Sequence, residues 1–484
     1  MRIEYKRKRI SKLSIYTNIP SLRRVLLTIP IKTAIIHAMS RRSEIWWLSV
    51  RRRGKSLLRW FVPGLGVKRW FLILLAGTTL IGVGLALFLL DVYREAPETW
   101  WLPAISFISL QFLTRDLRMV VFGTLGLGLI VLGSWGLNRA LLEPFRQPGQ
   151  QLVDQVSDFR RRERGPRVVV IGGGHGIATV LRGLKEHTHN LTAIVSVADD
   201  GGSSGEIRRD LGILPPGDIR NCLAALSDDE ALLTQLFQYR FGGESGLGGH
   251  TFGNLFISAL ADLTGSFENA VSESGRALSV HGQVLPATLH NVRLVADVRL
   301  PQSETEIRVE GESQIPKAAG RVRRVWLEPN DASAYPPAIQ AVLAADMIII
   351  GPGSLYTSIL PNILVRDLLE AIHSSRAVKM FVTNIATQPG ETDKYASNEH
   401  IHALENLIGF DLVDVIVCNS CYDGKFEGQI QWVRVDDSEV RDPRVYLTGL
   451  VDHDNLGRHD ATKLAQTLMA LYNERTGPLT KENT

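Results

Sequence analysis

The residues of this chain that could do chemistry sit in short runs of glycine, hydroxyl and carboxylate groups. Gly172-Gly173-Gly174-His175-Gly176 follows the apolar run 168–171 and opens a helical stretch, 177–184. Glycines there let backbone N–H groups approach an anion closely, and the N-terminus of the following helix adds a favourable dipole. The run is not a complete dinucleotide fingerprint, because Ile177 or Thr179 takes the place of the third glycine of G-x-G-x-x-G. Nor is it a P-loop, since no Gly-Lys-Ser/Thr follows. Two readings stand: a phosphate-binding loop, or a tight strand-to-helix turn whose glycines serve packing alone.

Asp199-Asp200-Gly201-Gly202-Ser203-Ser204-Gly205 closes a second apolar run, 192–198. An acidic residue at this strand end is where a Rossmann-type domain grips a ribose hydroxyl. The Gly/Ser loop offers a further nest of amides and hydroxyls, and adjacent carboxylates suit Mg²⁺ held against ligand phosphates. A solvated turn would account for the same residues. The rigid turn 215–221 delivers Asp218, Arg220 and Asn221 at a helix start, where Asp218 could serve simply as a cap. His250 and Asn254 precede an apolar helix in the run 248–254. Gly353 and Ser354 follow the strand 347–350, and Asn384 and Gln388 follow the strand ending at 383. The strand-following loops fall on the carboxyl edge of one parallel sheet, where open α/β folds bind ligands. There is no G-x-S-x-G elbow and no H-E-x-x-H helix.

These loops need a frame. The runs 168–171, 192–198, 347–350, 380–383 and 413–418 are rich in Val and Ile, as strands buried on both faces are. Helical stretches interleave them, which predicts an α/β fold with a doubly wound parallel sheet. Residues 284–327 alternate in shorter segments with several charges and read as a small β-rich elaboration. Three cysteines, Cys222, Cys418 and Cys421, fit a reducing compartment; the C-x-x-C pair has no two further ligands nearby to complete a zinc site.

The N-terminal third is different. Residues 1–69 carry a net charge of about +16, whereas 138–484 come to about −11. An acidic C-terminal region argues against nucleic acid as a partner. The apolar runs 71–90 and 119–137 are each long enough to cross a bilayer as a helix. Trp70, Trp100, Trp101 and Trp135 lie near their ends, where indoles favour the interface. A pair of buried core helices is the alternative; the first run starts too far from Met1 for a cleaved signal peptide. Arginines and lysines flank the outer ends of both runs, so the N-terminus and the C-terminal domain are both expected in the cytoplasm, at the plasma (inner) membrane. The resulting division is a basic leader 1–69, two transmembrane helices with a short external loop in 70–137, a linker 138–166, one domain 167–475 and a tail 476–484. The leader is read as lying on anionic headgroups or as a disordered tail.

In order along the chain, GGGHG, SVADDGGSSG, LPPGDIRNCLAALS, GGHTFGNL, GPGSLYTSILPN and NIATQPGET resemble the gluconeogenesis-factor (YvcK-like) family, relatives of the 2-phospho-L-lactate transferases of the CofD superfamily. The resemblance covers residues 167–475, and the apolar leader resembles that of extended members. It implies a Rossmann-like domain that binds a nucleotide-sugar of the UDP-N-acetylglucosamine type and regulates gluconeogenic growth, cell shape and cell-wall synthesis. It further implies a phosphate loop at Gly172, Gly173, Gly174, His175 and Gly176, and a second loop at Asp199, Asp200, Ser203 and Ser204. Asp218 and Asn221, His250 and Asn254, and Gly353 and Ser354 follow as ligand contacts, with Asn384 and Gln388 at the base or sugar edge. Arg458, in Leu456-Gly457-Arg458-His459-Asp460, resembles an arginine placed against the ligand's negative charge. His175 stands where relatives often carry Thr, and Phe426 where some carry Tyr.

Three functions follow. The first is a binding and regulatory protein without catalysis, held near cell-wall synthesis proteins by its membrane spans. The second is a transferase of deazaflavin coenzyme synthesis joining a phospho-acid to its acceptor; Mg²⁺ belongs only to this reading, with Asp199 and Asp200 as candidate ligands. The third is a scaffold with a vestigial pocket. Homo-oligomerisation is compatible with all three.

Overall fold

The computed structural model describes residues 152–477, except 228–229, 244–245, 301–304, 409–411 and 438, together with scattered positions between 75 and 135. The basic leader and most of the two apolar runs lie outside the described residues. Among the described residues no helix is long and apolar enough to cross a membrane. The chain divides into two units, Met1–Ser157 and Asp158–Thr484.

The segment 138–166 is not linker throughout, because helix α1 (Leu152–Glu163) occupies much of it. Apolar residues at 152, 153, 156 and 159 recur at helical spacing, and the run Arg160, Arg161 and Arg162 falls in the last turn, where cations complement the helix dipole.

The second unit then runs β1 (Val168–Gly172), α2 (Gly174–Leu184), β2 (Leu191–Val195), α3 (Gly202–Leu211), α4 (Gly217–Leu226), α5 (Glu230–Gln238), α6 (Phe252–Thr264), α7 (Phe267–Ala277) and β3 (Gln283–Pro286). Next come β4 (Arg293–Arg299), β5 (Glu306–Glu310), β6 (Arg321–Glu328), α8 (Pro336–Ala344) and β7 (Met347–Ile350). After a π-helical turn, Leu355–Ile359, follow α9 (Leu360–Ile363), α10 (Arg366–Ser374), β8 (Val378–Val382), α11 (Ser397–Ile408), β9 (Val415–Asn419), β10 (Val445–Thr448) and α12 (Ala461–Thr476).

Seven strands form one sheet in the order β10-β9-β8-β7-β1-β2-β3, and every pairing is parallel. Strands β1, β2, β7 and β9 are buried along their whole length, which explains their largely apolar, Val- and Ile-rich composition. The chain works outward from β1 to β3, then returns to lay β7 on the other side of β1. That reversal is a topological switch point of the sheet. Helix α2 packs against both α4 and α12, and α8 packs on α10. The α2–α12 approach is close: a Cβ added at Gly183 would lie 2.1 Å from the Ala461 carbonyl oxygen.

The β-rich elaboration is a separate antiparallel sheet, β5-β4-β6. It begins after β3, which belongs to the main sheet although the sequence pattern grouped it with the elaboration. β3 and β10 are the two edge strands, each of four residues, and β10 has no fully buried position. Strands of four residues, one of them exposed along its length, lack the long apolar run by which the central strands are recognised.

Replacing Gly183 by alanine is expected to force α2 and α12 apart and to lower stability by about 1–3 kcal/mol. Urea denaturation checks this, and an unchanged midpoint would show that the two helices are not held in contact.

Candidate functional site

The site is built at the switch point. β1 ends at Gly172, Gly173 is extended, and Gly174 has φ +61°, a conformation that favours glycine. Helix α2 starts there without a side-chain cap, so its first-turn N–H groups have no partner within the helix. Gly173 and Gly176 cannot carry a side chain: an added Cβ would lie 2.3 Å from Asp218 Oδ2 and 2.2 Å from the Pro352 carbonyl oxygen, respectively. The helix start is thus pressed against the loop that leaves β7. Asn384, after β8, clasps that loop from the other side, accepting from Gly353 N (3.0 Å) and donating Nδ2 to the Gly353 carbonyl (2.8 Å). Asn362 Nδ2 donates to the Gly172 carbonyl at 3.0 Å and fixes the end of β1.

Between these loops lies a cavity of about 590 Å³. Gly173, Gly174, His175 and Gly176 line one wall, Gly353 and Ser354 a second, and Asn384 and Gln388 a third. Phe426 and the exposed Arg458 complete it. No carboxylate pairs with Arg458 among the described residues. Although His175 is solvent-exposed, partial desolvation by the protein around it, then the charges of Arg458, Arg220 and Arg182, hold its imidazole below its ordinary pKa. First-turn amides and an unpaired guanidinium together suit an anion.

The other sequence-derived residues gather outside the cavity wall. Ser203 Oγ contacts His250 Nδ1 (3.2 Å) and accepts from Asn254 Nδ2 (3.0 Å), which also reaches Ser204 Oγ (3.4 Å). Ser204 in turn bonds Asp199, whose Oδ1 accepts from Gly201 N at 2.9 Å. Asn221 Oδ1 is used by Arg220 Nη2 (2.9 Å). Asp200 serves the elaboration: its Oδ1 accepts from Ser313 N at 2.8 Å, tying down the turn between β5 and β6. Asp218 does not cap α4, whose N-cap is Pro216 without a side-chain bond; it accepts instead from Gly174 N.

Two acidic residues that the sequence did not single out, Glu312 and Glu391, complete a carboxylate cluster with Asp199 and Asp218. Burial, then Asp199, pushes Asp218 up to about 7, against the Gly174 N–H and Arg220. Burial and then Asp199 push Glu312 up to about 8. Burial also raises Glu391, opposed by hydrogen bonds from Ser354 and Thr357, and raises Asp199. Among the described residues no group of three or more His, Cys, Asp or Glu side chains has metal-holding geometry. His459, beside Arg458, also lines the cavity unforeseen. Its adjacency to the expected arginine was the one available signal; Glu312 sits in a stretch that reads as solvated surface.

The family model described as 2-phospho-L-lactate transferase CofD matches residues 168–448. A gluconeogenesis factor of Bacillus subtilis is 42% identical over 318 residues, which cover 64% of this chain and 99% of that protein. The chain belongs to the gluconeogenesis factor family. A relative of this gluconeogenesis factor family member from Nostoc sp. is 44% identical over 437 residues, covering 87% of this chain and 93% of the other. That span exceeds the CofD domain, so the likeness continues into the N-terminal segment. A crystal structure of a UPF0052 family protein from Bacillus halodurans, 40% identical, superposes with a TM-score of 0.59 over 63% of this chain and 99% of that one.

In this gluconeogenesis factor homologue the folded state holds a proton on Asp218 that an unfolded aspartate has lost above its ordinary pKa. The stability contributed by that proton is complete below about pH 4 and is lost as pH rises towards 7 and beyond. Asp218→Asn keeps an oxygen for Gly174 N–H but cannot ionise. Its stability relative to the native protein is expected to climb between pH 4 and 8 in denaturation measured across that range; a pH-independent difference would refute the buried proton.

Proposed function

We propose that this protein is a membrane-tethered, cytoplasmic regulator that binds a UDP-sugar between the α2 N-terminus and the loops leaving β7 and β8. One observation carries the reading: an unpaired Arg458 and the first-turn amides of α2 share a cavity of about 590 Å³ at the sheet's switch point. That volume suits a small-molecule ligand, and the donors suit a diphosphate. The family to which the chain belongs supports a role in gluconeogenic growth; links to cell shape and cell-wall synthesis are part of the proposal. The two apolar runs 71–90 and 119–137 support the tether, which would raise the domain's effective concentration near membrane-bound partners.

The transferase reading draws on the CofD family model and on the carboxylates Asp218, which lies against Gly173 of the glycine loop, and Asp199, which lies behind it near Gly217. It would call on Mg²⁺ to offset those carboxylates against a phosphate-bearing substrate.

UDP-N-acetylglucosamine is expected to raise the melting temperature of the protein. At about 100 times the Kd, binding contributes about 2.7 kcal/mol. Gly174→Asp, which sets a carboxylate against the phosphate, should abolish the shift, and Arg458→Ala should weaken binding about tenfold or more. No shift with any UDP-sugar, but one with a GDP-linked or deazaflavin compound in Mg²⁺, would favour the transferase; silence with both would leave a scaffold.

A further inference from the structure

The amino edge of the main sheet, at the opposite end of its strands from the cavity, carries a feature that ligand binding does not use. Arg160, Arg161, Arg162, Arg164 and Arg167 fall within one run, 160–167, with Glu163 the one acid among them. Residues 138–484 together carry about −11, so the run is a local reversal of sign. It ends α1 and leads straight into β1, which places it at the edge where β1 and β2 begin. The loop before β2 fastens it there. His189 N donates to the Arg162 carbonyl (3.0 Å), and Asn190 Nδ2 donates to the carbonyls of Glu163 and Gly165, each at 2.9 Å. Buried Thr188 donates Oγ1 to the Pro166 carbonyl at 2.9 Å. Phe159 stands edge-on to His189 and His281 at 5.3 and 6.3 Å, and those two rings are stacked 4.3 Å apart. Arg162 is matched by Glu186 (2.7 Å) and Arg167 by Asp346 (2.9 Å). Arg161 and Arg164 are exposed and make no ion pair among the described residues.

We propose that this edge is a docking surface for an anionic lipid bilayer, whose headgroup phosphates meet Arg161 and Arg164. Two observations select that occupant. Only residues 138–151 separate the apolar run 119–137 from α1, a stretch that spans at most about 50 Å, so on the tether reading, upon which this inference rests, the arginines are kept within reach of headgroups. The rest of the domain is acidic and is repelled by such a surface, which leaves the basic edge as the one that can approach it. Phe159, 47% exposed, adds apolar area beside the cations, the composition of an interfacial helix. Because the run is clamped to the domain rather than loose, docking also sets orientation. The carboxyl edge, with its cavity, then faces away from the bilayer and stays open to solution.

Hydrogen exchange of the full-length protein in nanodiscs of phosphatidylcholine, and of an equal mixture of phosphatidylcholine and phosphatidylglycerol, tests this. The anionic discs are expected to slow exchange in 158–167 and 187–190 and to leave the cavity loop 384–391 unchanged. Arg161→Glu combined with Arg164→Glu, both at exposed positions, should abolish the slowing, as should 1 M salt, where the screening length is about 3 Å. Equal exchange in the two discs, or slowing at 384–391 in place of the amino edge, would overturn the inference. So would slowing that survives the double substitution, the result expected if the basic leader 1–69 alone held the lipid. A protein that stays in solution without disc or detergent would overturn the tether reading by itself. The edge is then read by co-sedimentation with vesicles of the same mixture, where the double substitution should weaken binding at least about tenfold; an unchanged affinity would overturn the docking surface as well.

Discussion

The contact between the first turn of α2 and the carbonyl of Pro352 governs the rest of the site. It exists because position 176 carries no side chain; a Cβ there would sit 2.2 Å from the carbonyl oxygen. Strands β1 and β7 are neighbours in the sheet, but the chain leaves them for different connections, so their loops would ordinarily diverge. The glycine lets them stay together. Asn384 then couples the same loop to β8 through Gly353, and Asn362 locks Gly172 from within the helical segment that follows. Three strand ends become one wall, joined by hydrogen bonds to the backbone at Gly172 and Gly353.

That wall carries an electrostatic tension. Asp218 accepts from Gly174 N, so a carboxylate already sits at the positive end of α2. An incoming anion must use the amides beyond it, at His175 and Gly176, and the guanidinium of Arg458. Behind the loop, burial raises the proton affinity of Asp199, Asp218, Glu312 and Glu391; Asp199 adds to the rise at Asp218 and Glu312, while Arg208 opposes it at Asp199 and Arg220 at Asp218. Carboxylates behind a phosphate loop weaken it unless they hold protons. Raised affinities of about 7 and about 8 for Asp218 and Glu312 mean that at neutral pH part of that charge is absent. The lowered pKa of His175 belongs to the same balance, set by partial desolvation and the neighbouring arginines.

Much of this was readable from residue order. Central strands announce themselves because burial on both faces demands a continuous apolar run, and the glycine loops follow directly. Edge strands β3 and β10 do not, since each has only four residues and β10 meets solvent along its length, so neither carries a long apolar run. Helix α1 was hidden by its arginine run, which resembles a flexible basic segment until its spacing is set against a helical period. Among the site residues, those on the loops after β1, β7 and β8 line the cavity, whereas Asp199, Ser203 and Ser204 after β2 join Asn221, His250 and Asn254 in a neighbouring network. Spacing along the chain assigns a residue to a loop; which face of the loop meets the cavity depends on packing three elements away. Glu312 makes the same point more strongly, as it reaches the cluster from the small sheet through a turn that Asp200 anchors.

The incomplete glycine fingerprint also has a physical account. In the standard motif the third glycine lets the helix pack closely on the strand. Here Ile177 occupies that part of the helix and is fully buried. Room for it comes from the other partner: an added Cβ at Gly172 would lie 2.5 Å from Ile177 Cγ2. The missing side chain has moved from the helix to the end of the strand, and the isoleucine fills the space under the turn that a glycine would have left open. Close approach is kept and the turn gains a hydrophobic floor, while Thr179, one turn further along the face that the glycines open, remains at the cavity. A motif search that fixes glycine positions rather than the contacts they permit would pass over this loop, yet its amides are presented to the cavity by the same strand-to-helix geometry.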